Sequence, residues 1–527
     1  MPHRMHHLVR KKEFLCSQIE GQHLLVSSAS VGSSLSRPAL WLLPIFAGLV
    51  LVCAVALATG NLLSIGFDFE KNYNEGWNVY NAQRLIDHEL VYDENYWRVN
   101  NYPILSFIVV AGVNLLVHDL LLSGRLIALV SFVAVGILAA VTTRRLGGDR
   151  VDALFGGACA LGFCYSIAPA WVGVDDPQTL SEAMMLGGLV SYLSGRRDRL
   201  SLSRTALLVV LGGFVKHNVV AIPLAITLDI AFRSPRRLLF WLGCCAVTFV
   251  CCLMLTDLVA GGTFIDHLMS PRSFTWYRAR YHLMKYLRFG EFPLAVMLFY
   301  PRGLISRAVL GTYGGISIFS ATIFSGFEGA SYNMFQDAAV FLAIAAAVTL
   351  HELRKHMIAG ASAHSRLAKA ALIAVPLLLA QPVLARSPES LLKIYHLGDM
   401  LEIDRRAAQS FSTEASYISA MRGPAICESL LLCYRAGQPF MLDPFNSRQY
   451  ILAGRIDQNV LIQRIAAKEF AVVQLRADIC DSQEAGPCHI RHRRVELERF
   501  SDDILHAIDH YYHVAWRAQD GTFYAPK

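Results

Sequence analysis

From residue 39 to residue 384 the chain alternates long apolar stretches with short polar ones. The stretches 39–59 and 238–255 run for about 18 or more residues without a charge, enough for a helix to cross a hydrocarbon core roughly 30 Å thick. Further apolar runs predict helices over 121–141, 153–168, 179–193, 205–215, 219–232, 292–300, 308–324, 334–350 and 367–384. Between the first two spans lies a polar stretch, 61–101, rich in Asp, Glu, Asn and aromatic residues. From about Arg386 the pattern becomes that of a water-soluble domain, with strands expected at 439–443, 470–475 and 521–524 and helices at 457–468 and 502–512. The fold class predicted is mostly α: a polytopic membrane helical bundle of about 11 spans with a small C-terminal α/β domain. Its divisions are a basic tail (1–38), a membrane domain (39–386) whose first outer loop is 61–101, and an extracytoplasmic α/β domain (387–527).

Charge placement sets the orientation. Short loops rich in Lys and Arg stay in the cytoplasm, and such clusters occur at Arg144, Arg145 and Arg150, at Arg196, Arg197 and Arg199, and at Arg233, Arg236 and Arg237. Others are Arg302 with Arg307, and Arg354, Lys355, Arg366 and Lys369. An internal N-terminus puts every cluster inside and the C-terminal domain outside. Counting 103–117 as a crossing would invert this pattern, so that segment is expected to be a short re-entrant or surface helix. The setting implied is a bacterial inner membrane with the C-terminal domain in the periplasm.

Composition agrees: 54% of residues are hydrophobic and only 17% charged, against about 25% charged in soluble domains. The net charge of +7 is spread over short loops instead of gathered on one face, which argues against a nucleic-acid partner. Cys53, Cys159, Cys164, Cys244, Cys245, Cys251 and Cys252 fall in apolar runs and serve as small packing residues. Cys427, Cys433, Cys480 and Cys488 form two close pairs in the polar region, which points to disulfides in an oxidising compartment. Neither pair has the two-residue spacing of a zinc knuckle.

The candidate chemistry lies in the outer loops. Glu75 opens an amphipathic segment containing Trp77 and Tyr80; its carboxylate either complements a helix N-terminus or takes part in catalysis. Asp175 and Asp176 precede Pro177 at the mouth of a span, with Glu182 further in. The aspartates either cap that helix or act together by sharing a proton, holding a divalent metal or accepting a proton from a nucleophile. Lys216 and His217 interrupt an apolar stretch, where ionisable groups face a cavity or snorkel to the interface. Loop 259–291 is basic against the trend, with Arg272, Arg278, Arg280 and His282 beside Trp276 and Tyr277; it suits a phosphate at the membrane surface or contact with anionic lipid. No nucleotide-binding or hydrolase motif is visible, so a phosphorylated substrate would be lipid-borne.

These features, in their order, resemble the GT-C superfamily of membrane glycosyltransferases, which includes protein O-mannosyltransferases and the lipid A aminoarabinose transferase. The resemblance spans roughly the first 350 residues and rests on Asn74-Glu75-Gly76, Asn101-Tyr102-Pro103, Arg125, Arg144-Arg145, Asp176-Pro177 and Lys216. It implies an inverting transfer of a sugar from a polyprenyl-phosphate donor to a lipid, glycan or protein acceptor outside the cytoplasm. By position it makes Glu75 the base, Asp176 a second active-site carboxylate and Lys216 a phosphate or acceptor contact, with Tyr102 in the Asn-Tyr-Pro entry. The family's usual acidic pair begins with Asp where this chain has Asn74, so the base is Glu75 or nearby Asp68, or activity has been lost. No cofactor is implied beyond the option of a divalent metal. The rival readings are a transporter or flippase of lipid-linked saccharides and a non-catalytic membrane partner.

Overall fold

The computed structural model describes residues 37–195, 198–301, 304, 307–359, 366–476, 479 and 499–527 except 520. The protein is mostly helical. In chain order the helices of the first part are α1 (Arg37–Leu63), α2 (Tyr73–Ile86), α3 (Leu105–Val117), α4 (Leu120–Arg145), α5 (Arg150–Ile167), α6 (Gln178–Ser194) and α7 (Arg199–Val215). They continue with α8 (Ala221–Arg233), α9 (Pro235–Ala260), α10 (Phe264–Leu268), α11 (Trp276–Phe289), α12 (Glu291–Phe299), α13 (Ala308–Phe324), α14 (Gln336–Ala359), α15 (Arg366–Leu379) and α16 (Gln381–Leu384). Among the described residues, four helical stretches are long and apolar enough to cross a membrane: Leu42–Gly66, Leu120–Arg145, Pro235–Ala260 and Tyr332–His356. The other apolar runs form shorter helices; the 17 residues of α6 reach about 26 Å at 1.5 Å per residue. The segment expected to re-enter or lie at the surface contains α3, whose 13 residues extend only about 20 Å.

Small residues bring the central helices together. Helix α14 is buried from Gln336 to Leu350 and presents Ala338, Ala339, Ala343, Ala345, Ala346 and Ala347 to its neighbours. Helix α5 packs against α1, α4 and α14, and a Cβ on its Gly157 would stand 2.7 Å from the Gly136 carbonyl of α4. Such close backbone approach is how helices associate in lipid, where no hydrophobic force drives them together. Helix α9 is the opposite case, with Leu239, Val247, Met254 and Leu258 exposed as on a lipid-facing surface.

The C-terminal region comprises α17 (Ser387–Tyr395), α18 (Leu397–Ala420), β1 (Ala425–Cys427), α19 (Leu430–Arg435), α20 (Pro444–Leu452), α21 (Gln458–Ala466), β2 (Val472–Leu475), α22 (Asp502–Tyr511), β3 (Tyr512–Arg517) and β4 (Thr522–Pro526). Its sheet has the order β1-β2-β4-β3, with β1 parallel to β2 and the other pairs antiparallel. Strand alternation sends neighbouring side chains to opposite faces. Ile426, Val473 and Leu475 pack with Leu461, Ile465, Ile504 and Ile508 of α21 and α22. Ala425, Cys427, Val472 and Phe523 join Trp77, Val79 and Tyr80 of α2 in a second core. One face of the sheet is thus sealed by α21 and α22 and the other by α18, α19 and the first loop.

The expected strand at 439–443 is absent. Those residues form an irregular lead-in to α20, whose first turn is capped by the Asp443 side chain, while the Asp443 N–H donates to the Trp97 carbonyl at 2.7 Å. The alternation there reflects docking onto the first loop instead of sheet pairing. Cys427 and Cys433 form a disulfide across the start of α19, and Cys480 and Cys488 lie outside the described residues.

Helix α19 is seated on α2 with no room to spare. A Cβ on Gly76 would meet the Leu431 amide nitrogen at 2.1 Å and the Leu430 carbonyl carbon at 2.7 Å. Backbone cannot yield as a flexible side chain can. Gly76→Ala is therefore expected to lower stability by about 1–3 kcal/mol, the usual cost of overpacking. Thermal unfolding of the purified protein checks this, and an unchanged transition would count against the tight seating.

Candidate active site

Helix α2 begins at Asn72, whose side chain accepts from the Asn74 N–H at 3.0 Å, and so presents Asn74 and Glu75 in its first turn. Behind it, the first turns of α4 carry Arg125 in an otherwise apolar span. All five N–H donors of this guanidinium are used. Nε and Nη2 bind the two Glu75 carboxylate oxygens at 2.7 and 2.8 Å. Nη1 binds the carbonyls of Ile65 and Phe67, and Nη2 also binds that of Phe69. Glu75 further accepts from the Lys71 N–H at 2.8 Å and the Asp175 N–H at 3.3 Å. Both side chains are buried, so the pair fixes the shape of the loop and the position of α2.

Opposite Glu75, the turn before α6 carries Asp175 and Asp176. Asp176 Oδ1 accepts from the Gln178 N–H and from Lys216 Nζ, both at 2.9 Å. Its Oδ2 accepts from Asn74 Nδ2, also at 2.9 Å. Helix capping and ion pairing thus coexist on one carboxylate. Asp175 fits only because Gly124 lacks a side chain: a Cβ there would stand 2.1 Å from its Cγ. Its Oδ2 is buried with no hydrogen-bond partner. Burial, then the neighbouring Glu75 and Asp176, push the Asp175 pKa well above the usual carboxylate range.

Lys216 ends α7. Its ammonium lies over the ring of Tyr102 at 4.9 Å and near that of Trp171 at 6.0 Å. Burial disfavours its charge, but Asp176 and Tyr102 more than offset this and its pKa is raised. His217, next along, keeps an exposed surface, but the protein packed around it and repulsion from Lys216 and Arg272 lower its pKa to about 4. The imidazole is neutral near pH 7, and the two cations that depress it mark the sides of one recess. Arg272 reaches that recess from the loop before α11, where Tyr102, Asp443, Glu328 and Tyr73 are its electrostatic neighbours.

The structure therefore brings Asn74, Glu75, Tyr102, Asp175, Asp176, Lys216, His217 and Arg272 together. It places the remaining sequence candidates elsewhere. Asp68 is half exposed and pairs with Arg435 of α19 at 2.9 Å, tying the first loop to the C-terminal region. His282 donates through Nδ1–H to the Ser325 carbonyl, 3.0 Å away, and packs edge-on against Tyr332. Arg280 is exposed and Arg278 half-buried on α11, whose inward face is Ala279, His282 and Tyr286. Tyr73, Asp443 and Asn446 were not singled out by sequence. Their signal is weak because the partners lie hundreds of residues apart; Tyr73 donates to Asp443 across 370 positions.

Asp149, Asp152 and His351 also offer ligand atoms close enough to share a metal ion. They stand at the opposite end of α5, about 27 Å along its axis from the Asp175 turn. The Arg354 guanidinium already lies 2.6 and 2.9 Å from Asp149 and Asp152, so a metal there would compete with a built-in cation.

No family model and no curated protein matches the sequence. Solved structures do match in fold. The crystal structure of ArnT from Cupriavidus metallidurans in the apo state is similar over 91% of this chain and 98% of that one, with a TM-score of 0.57 and 14% identity. Its crystal structure bound to undecaprenyl phosphate covers the same shares, with a TM-score of 0.53 and 12% identity. The chain has the GT-C fold. An archaeal oligosaccharyltransferase, AglB from Archaeoglobus fulgidus, gives a TM-score of 0.45 at 11% identity, over 81% of this chain and 69% of that one. The GT-C fold and the apolar helices mark the chain as an integral membrane protein.

Proposed function

We propose that this protein is an inverting glycosyltransferase that moves a sugar from a polyprenyl-phosphate donor to an envelope lipid, glycan or protein on the periplasmic side of a bacterial inner membrane. In this reading the chain crosses the membrane about 11 times, with its N-terminus in the cytoplasm and residues 387–527 forming a periplasmic α/β domain. The observation that carries it is the juxtaposition of a carboxylate, Asp176, with a buried lysine at 2.9 Å, beside a second recess cation, Arg272. The fold shared with a transferase crystallised with undecaprenyl phosphate supports the donor class.

The acceptor hydroxyl oxygen attacks the anomeric carbon while the bond from that carbon to the phosphate oxygen breaks. Its proton passes to Asp176, the active-site carboxylate paired with Lys216. General-base assistance of this kind is worth about 10²–10⁴-fold. The departing polyprenyl phosphate gains negative charge, which Lys216 and Arg272 stabilise; donors fixed before the reaction need no reorganisation during it. Lys216 exchanges Asp176 for phosphate, which frees the carboxylate to act as base. Glu75, saturated by Arg125 and two backbone amides, positions α2 and takes no proton.

The test is to supply the purified protein in liposomes with polyprenyl-phosphate sugars and a crude envelope acceptor fraction, and to follow release of polyprenyl phosphate. Release coupled to a sugar on the acceptor is expected. Movement of intact lipid-linked sugar across the bilayer without release would favour a flippase.

A further inference from the structure

Arg272 is the cation of the recess that comes from outside the helical bundle, and its aim depends on the C-terminal region. The first turn of α20 supplies the support. Asn446 Oδ1 accepts from Arg272 Nη2 at 2.8 Å, and the ring of Phe445 lies beneath the guanidinium, 4.7 Å from its carbon. Gln449, one turn further on, accepts the Ser273 N–H at 3.3 Å. The Asn446 amide cannot turn over freely: its Nδ2 donates to Asp443 Oδ2 and its backbone N–H donates to Asp443 Oδ1. Asp443 in turn accepts the Tyr73 hydroxyl. Tyr73 begins α2, one residue before Asn74 and two before Glu75.

A continuous line of hydrogen bonds thus runs from the helix carrying Asn74 through Asp443 and Asn446 to Arg272. A second line runs from Asn74 through Asp176 to Lys216. Both cations are therefore referenced to the first turn of α2. Asn446 and Asp443 are 4% and 0% exposed, so water cannot substitute for the bonds they make. The Glu328 carbonyl takes one more Arg272 donor, at 3.3 Å. Among the described residues the other three donors have no partner and can meet an anion bidentately.

We propose that Asp443 and Asn446 of the C-terminal region are positioning residues that aim Arg272 at the donor's phosphate, so that this region completes the donor site. The inference rests on the glycosyltransferase reading. Its consequence is specific: loss of the Asn446 contact weakens capture of the phosphate and leaves the Asp176–Lys216 pair intact.

The experiment measures binding of undecaprenyl phosphate by the full-length protein through intrinsic tryptophan fluorescence, together with KM and kcat for a polyprenyl-phosphate sugar. Asn446→Leu keeps the side-chain size and removes the amide. It is expected to raise Kd and KM on the order of ten-fold or more, as misplaced binding groups do, with a parallel loss in kcat because a mis-aimed Arg272 stabilises the departing phosphate less well. Arg272→Leu should raise Kd and KM at least as much and also lower kcat, because the guanidinium stabilises the departing phosphate, and Arg272→Leu with Asn446→Leu should be no worse than Arg272→Leu alone. Asn446→Gln, which retains the amide, should recover part of the binding. Equal Kd in wild type and Asn446→Leu, or additive losses in the double variant, overturns the inference while leaving the function reading in place. Wild-type protein that binds no undecaprenyl phosphate overturns both. A kcat loss with unchanged KM would show that Asn446 serves the fold instead of Arg272.

Discussion

Arg125→Leu is expected to destabilise the protein by about 3–5 kcal/mol, the cost of removing one partner of a buried ion pair, and to abolish transfer. Five hydrogen bonds go at once: two to Glu75 and three to the carbonyls of Ile65, Phe67 and Phe69. Glu75 would keep its two backbone donors, but its charge would remain in a dry site. Lysine is a poor replacement because a compact ammonium cannot reproduce the planar fork. The informative control is Arg125→Leu with Glu75→Leu. Replacing both members of a buried pair by apolar residues is often nearly neutral, so the double variant should regain part of the lost stability but no activity. Denaturant unfolding and transfer assays on the same preparations decide. A double variant no more stable than the single one would show that the loop carbonyls, not the uncompensated Glu75 charge, account for the loss.

Asp176→Asn is expected to cut kcat by about 10²–10⁴-fold without weakening donor binding. The substitution is nearly isosteric. It removes the proposed base and leaves Lys216 without its counter-charge, which makes the ammonium more available to phosphate. Lys216→Met should behave differently: it removes a phosphate contact while leaving Asp176 bonded to Asn74 and the Gln178 N–H, so KM rises along with the loss in kcat. Steady-state kinetics with varied donor separate the two patterns. If Asp176→Asn retained wild-type kcat, the base would have to be sought at Asp175, whose Oδ2 is buried and unpartnered.

Much of the helical bundle was legible because lipid leaves helices few alternatives: backbone groups must be satisfied within each segment, and apolar runs such as that of α4 declare themselves. Glu75, Asp176, Lys216 and Arg272 stood out for a related reason, since charges beside spans need partners. What sequence could not give was the partners' identity. Arg125 was visible only through family likeness, and nothing local said that it would bind both carboxylate oxygens of Glu75, the expected base. Asn74 read as a defect in the acidic pair; in the structure its amide donates to Asp176, whereas an aspartate there would set two like charges together. The long helix α18 went unrecognised because its mean composition is polar, and β1 because three residues are too few to show alternation.

The joining of Tyr73 to Asp443 and of Gly76 to Leu431 also governs the order in which the protein can mature during synthesis. Among the described residues every long apolar helix precedes residue 400 in the chain, so the ribosome has delivered these helices before it makes the residues that hold α2 down. A nascent chain halted at that stage can be fully inserted and yet have an unfinished site. Competence for transfer would then arrive as a late, separate event, set by how fast the final segment folds and its Cys427–Cys433 bond is oxidised.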